Sequence, residues 1–158
     1  MKSLFLFALF SSWSIAAIAY CPSSYSSCDY YICAEEHNPC GKQGYWIGWG
    51  HRYCQKYLDS EKSFSLEAQQ WLRENRQCLQ SRAEEISQGT QCSGIRKAAM
   101  ESHVGCYVET GFCELSFKDK AAILWGLRTA LNAPEAWIEG IRLEKACREQ
   151  GLSSILRY

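Results

Sequence analysis

Ten cysteines and three histidines are the residues best suited to chemistry in this chain. The cysteines are Cys21, Cys28, Cys33, Cys40, Cys54, Cys78, Cys92, Cys106, Cys113 and Cys147; the histidines are His37, His51 and His103. A thiol can ligate a metal, attack as a nucleophile or pair as a disulfide, and number and spacing separate these roles. Structural zinc sites usually show a Cys-x-x-Cys pair, and none occurs here. A reactive thiol would be left over from pairing, but the count is even. Five disulfides are therefore expected, with no metal or cofactor, and spacing alone leaves about 945 pairings open. Glu35-Glu36-His37 could ligate a metal, yet no second ligand cluster accompanies it. A charged helix end before Asn38-Pro39 accounts for it more simply, since the residue before proline avoids the helical region. Glu84-Glu85 reads as a solvated face. No Gly-x-Ser-x-Gly, His-Glu-x-x-His or phosphate-binding glycine loop is present, so no catalytic residue is assigned.

A different kind of site is suggested by the aromatic residues Tyr45, Trp46, Trp49, Tyr53 and Tyr57. Tyrosine and tryptophan anchor protein interfaces because they bury much area at low entropic cost. They also fill cores, here around Cys54, and one helix can do both on opposite faces. Tyr45, Trp46, Trp49 and Tyr53 are the candidate partner-binding residues.

The elements that must position these groups follow from the rest of the chain. Residues 1–19 read as a cleaved signal peptide: Lys2 gives the charge, Leu4 to Ile18 is mostly apolar, and Ala17-Ile18-Ala19 is a small-x-small cleavage site. No later stretch is apolar enough to span a membrane. Residues 20–158 suit a single domain, secreted and extracellular, where disulfides persist. Equal numbers of basic and acidic residues argue against a nucleic-acid binder, which needs a basic surplus. The periodicity is helical throughout, with no β-type alternation, giving an all-α domain of about five to six disulfide-stapled helices. A short helix is expected over 29–37. A second covers Tyr45 to Leu58, weakened by Gly48 and Gly50. A third is capped by Ser65 and stopped by Gly89, and a fourth covers 93–108. Ser116 with Asp119 resembles a capping box opening a helix through Leu131. Pro134 opens the last helix, expected to reach about Gln150 with Gly151 as its C-cap.

Taken together, several segments resemble the stanniocalcins. They are Cys28-x4-Cys33 with Ala34-Glu35-Glu36, Cys40 with Gly44-Tyr45 and Cys54, Phe64 with Gln69-x-Trp71, and Gln77-Cys78-Leu79. Cys92-x13-Cys106-Tyr107-x5-Cys113, followed by Cys147, is the most similar part, and the likeness runs roughly from Cys21 to Cys147. The resemblance implies the pairs Cys21–Cys33, Cys28–Cys54, Cys40–Cys92, Cys78–Cys106 and Cys113–Cys147. It implies a secreted regulatory, hormone-like protein that binds an extracellular protein, linked in that family to calcium and phosphate balance. Two departures matter. There is no additional cysteine near the C-terminus for a disulfide-linked dimer, and no Asn-x-Ser/Thr glycosylation signal. Two alternatives are a secreted protease inhibitor and a small phospholipase A2-like enzyme. The second rests on His103 three residues before Cys106-Tyr107, which resembles the helical histidine of the secreted phospholipases. Val104 stands where that family carries an aspartate, and the glycines from Gly44 to Gly50 do not reproduce its calcium loop.

Overall fold

The computed structural model describes residues 20–130 and 132–155; the expected signal peptide lies outside the described residues. Six α-helices and no strand occur among them. They are α1 (Asp29–His37), α2 (Arg52–Ser60), α3 (Leu66–Ser87), α4 (Cys92–Glu109), α5 (Phe117–Gly126) and α6 (Pro134–Ile155). A π-helical segment, Tyr45–His51, runs directly into α2, and short 3-10 turns precede α3 and α5. No described helix is long and apolar enough to cross a membrane.

Local chemistry sets the starts of α3 and α5. The Ser65 hydroxyl accepts from the Ala68 amide at 3.1 Å, and the Ser116 hydroxyl accepts from the Asp119 amide at 3.1 Å. Each satisfies one of the amides that a helix leaves bare at its start. Ser116 also donates to the Asp119 carboxylate at 2.6 Å, and this bond holds that carboxyl below its usual range. Gly89 and Gly111 follow α3 and α4 with φ of +96° and +93°, a conformation that side chains resist.

Three boundaries differ from the sequence expectation. The helix expected from Tyr45 is π-helical until His51, where Gly48 and Gly50 let the backbone press on its neighbours. A Cβ at Gly50 would lie 2.4 Å from the Tyr31 ring. α5 stops at Gly126 rather than Leu131. The Tyr57 hydroxyl donates to the Ile123 carbonyl at 2.6 Å, and the Lys56 ammonium donates to the Gly126 carbonyl. Side chains of α2 thus take two carbonyls at the end of α5 that another helical turn would have used. α6, finally, passes through Gly151, which is absent from the positive-φ glycines and is an ordinary helical residue rather than a cap.

The disulfides are Cys21–Cys33, Cys28–Cys54, Cys40–Cys92, Cys78–Cys106 and Cys113–Cys147, the same five pairs that the stanniocalcin resemblance implies. The first two tie the leading segment and α1 to each other and to α2. Cys40–Cys92 joins the turn after α1 to the start of α4. Cys78–Cys106 staples α3 to α4, and Cys113–Cys147 clips α6 to the turn before α5. Each contributes roughly 2–4 kcal/mol by restricting the unfolded chain. Two apolar clusters lie between these staples. One is built on Tyr30, Tyr31, Tyr45, Trp46 and Ile95, the other on Trp71, Leu72, Phe112, Ile123 and Leu143. Glu61 adds a polar clamp, accepting from Arg73 and from the buried Arg76 guanidinium at 2.6 Å each. Burial pushes the Glu61 carboxyl up, but the two arginines outweigh it and hold it low.

Candidate functional site

Two of the four candidate partner-binding aromatics are core residues. Trp46 is fully buried and Tyr45 nearly so, within an edge-to-face mesh with Tyr30 and Tyr31 whose centroids lie 5.2–6.4 Å apart. The Trp46 Nε1 donates to the Asn38 carbonyl at 3.1 Å, satisfying its one polar atom. Neither ring can anchor a partner on the surface. Trp49 and Tyr53 are half-buried; the Arg96 guanidinium sits 3.9 Å from the Trp49 ring centre. The reason is geometric: Tyr45 and Trp46 turn inward onto α1, which Cys28–Cys54 holds against this segment.

Glu35 takes a structural role, accepting from the Cys40 and Gly41 amides at 3.1 and 2.6 Å and so fixing the turn after α1. His37 Nδ1 lies 2.8 Å from the Cys33 carbonyl and 3.5 and 3.6 Å from the sulfurs of Cys33 and Cys21. These three are the one group with metal-ligand proximity among the described residues, but both sulfurs are committed to a disulfide and offer no thiolate. Glu84 is not on a solvated face: it is buried, and after desolvation its charge is the next cause holding the Tyr30 hydroxyl above its ordinary value.

An apolar concavity of about 150 Å³ lies between the π-helical segment, α2, α3, α4, α5 and α6. Its walls are mostly aromatic and aliphatic, including Tyr57, Trp71, Tyr107 and Phe112. The exceptions include Asn75 and Arg76 of α3, His103 of α4 and Glu139 of α6. His103 of α4 places Nε2 3.2 Å from the Tyr45 hydroxyl and Nδ1 3.5 Å from the Tyr107 hydroxyl. Its Nδ1 also lies 3.0 Å from Oε1 of Glu139, on α6. That last contact has ion-pair distance without hydrogen-bond alignment, and Oε1 is left buried with no donor. The Tyr45 hydroxyl can donate to Nε2 in the tautomer that leaves this nitrogen bare, and Nδ1 then faces the Glu139 carboxylate at ion-pair distance without an aligned hydrogen bond. Burial holds the Tyr45 and Tyr107 hydroxyls well above their ordinary values, with Glu139 among the further causes, so both keep their protons at neutral pH. Glu139 was not legible in the residue order, because the carboxylate beside His103 comes from a different helix rather than from position 104.

Large apolar side chains are also exposed on α5 and on α6. Leu124 and Trp125 are exposed at the end of α5, and Trp137, Ile138 and Ile141 are exposed over the first turns of α6. Trp125 is 70 %, Trp137 60 % and Ile141 68 % accessible, an unusual concentration for large apolar residues. Leu124 and the exposed Gly140 also line the concavity. No protein-family model, no curated protein and no solved structure matches this chain.

Proposed function

We propose that this chain is a secreted, stanniocalcin-like regulatory protein that acts by binding an extracellular protein partner through the exposed face shared by α5 and α6. The observation that carries this reading is the exposure of Leu124 and Trp125 on α5 and of Trp137, Ile138 and Ile141 on α6, with α6 cross-linked to the turn before α5. Large apolar patches on small proteins mark interaction sites, and tryptophan is the residue most enriched among binding hot spots. The frame lowers the entropic cost of binding, because Cys113–Cys147 fixes α6 before a partner arrives. The ten paired cysteines suit an oxidising compartment, and the pairing order supports the stanniocalcin likeness. A secreted protease is one class of partner that this face would suit.

The test compares wild type with the double variant Trp125→Asp, Ile141→Asp. Both proteins are crosslinked in the medium of the producing cell and sized. The expected result is a defined heteromeric complex with wild type that the variant loses, while its helical circular dichroism and five disulfides are retained. Equal recovery of both proteins as free monomers would refute the reading.

A further inference from the structure

The two apolar clusters do not close on one another. Tyr31 and Tyr45 of the first line the same concavity of about 150 Å³ as Trp71, Leu72, Phe112 and Leu143 of the second. Protein interiors pack to crystal density, so an opening of this size forfeits dispersion contacts along its lining. Inward movement of the surrounding helices would ordinarily reduce that cost. Here the staples resist it. Cys28–Cys54 fixes α2 at the start of α1, Cys78–Cys106 fixes α3 to α4, and Cys113–Cys147 fixes α6 to the turn before α5. Several polar side chains of the wall are engaged within the protein. The Tyr57 hydroxyl donates to the Ile123 carbonyl at 2.6 Å, and the Tyr45 and Tyr107 hydroxyls face the His103 ring nitrogens at 3.2 and 3.5 Å. Arg76 is given to Glu61 and to the Tyr25 carbonyl, and Oε1 of Glu139 and Oδ1 of Asn75 are covered by protein atoms.

We infer that this concavity is a binding site for a small, neutral aromatic molecule without hydrogen-bonding groups, about as large as benzene or toluene. The volume sets the size. An apolar cavity of about 150 Å³ stays dry and takes a benzene-sized guest, whereas drug-sized ligands need about 300 Å³ or more. The wall sets the polarity. A charged or hydroxylated guest would give up its hydration among groups that are already engaged, and that loss has no return. An ammonium would in addition meet the Arg76 guanidinium, which shares the single charge of Glu61 with Arg73. The rings set the preference for an aromatic body. Tyr57, Trp71, Tyr107 and Phe112 surround the space, and aromatic pairs in edge-to-face or offset contact gain beyond the area they bury.

Met100 lines the concavity and is the only methionine in the sequence besides Met1, so its methyl group is a local reporter. The test titrates the disulfide-intact chain, labelled with ¹³C in the methionine methyl, with toluene, phenol, benzylamine and benzoate, and follows the Met100 resonance by NMR. Toluene should shift it saturably, phenol should bind at least tenfold more weakly, and the two charged compounds should leave it unmoved. Ala136→Phe, which puts a ring at a half-buried position of the wall, should abolish the toluene response. Glu139→Gln should change toluene affinity by less than threefold. Thermal unfolding establishes that each variant is folded, and the order of the four compounds on wild type decides the matter without either variant. No response to toluene, binding of phenol or a charged compound as tight as that of toluene, or toluene affinity unmoved in a folded Ala136→Phe protein would overturn the assignment. None of these outcomes bears on the protein-binding face, since Trp125 and Ile141 stay in place throughout.

Discussion

Replacing Gly50 by alanine should destabilise this protein, although alanine is the better helix former. The ideal Cβ would stand 2.4 Å from both Cδ1 and Cε1 of Tyr31, about 1 Å inside ordinary van der Waals contact. The Tyr31 ring cannot withdraw easily. It is buried, with the Tyr30 ring edge-on at 5.2 Å and the Tyr45 ring at 6.4 Å. Forcing one methyl into such a core costs about 1–3 kcal/mol. The helical gain from alanine offsets about 0.5–1 kcal/mol of that. The net loss should be roughly 1–2 kcal/mol, or a fall in Tm of roughly 3–8 °C for a domain of this size. Gly105→Ala is the matched control. Gly105 is exposed in α4, and its Cβ would meet only the end of the Glu109 side chain at 3.7 Å, so the same change there should stabilise by up to about 1 kcal/mol. Urea unfolding with disulfides intact measures both, and the sign difference is the decisive quantity. A Gly50→Ala protein as stable as wild type would show that the α1 rings are not pinned as described.

Two further outcomes follow from the same framework. Replacing both Cys113 and Cys147 by serine opens a loop of 34 residues and should cost about 3–4 kcal/mol. Hydrogen exchange should quicken first in α6, and uniform quickening across all helices would argue against a locally acting clip. The third concerns alkaline pH: burial holds Tyr30, Tyr31, Tyr45, Tyr57 and Tyr107 above the ordinary value of 10.0. The unfolded chain releases these protons near that value while the native state keeps them. Stability is therefore complete below about pH 10 and falls as pH rises further. Ring NMR shifts of these five tyrosines should change together with the loss of circular dichroism, whereas titration well before unfolding would refute their burial.

The residue order by itself determined the helical class, the even and complete cysteine set, and the starts of α3, α5 and α6. Those starts depend on contacts within a few positions: Ser65 with Ala68, Ser116 with Asp119, and the fixed backbone of Pro134. Such contacts are legible because chain neighbours make them. The pairing order of the cysteines was legible only through the likeness to a known family, since spacing left it open. Tertiary structure alone decided the end of α5, because side chains of α2 take its carbonyls. It also turned Tyr45 and Trp46 inward, since a helical stripe shows that one face is buried without showing which neighbour covers it. Burial of Glu84 and the approach of Glu139 to His103 belong to the same class. Both depend on which helix packs on which, and desolvation acts on a carboxylate only after that packing exists.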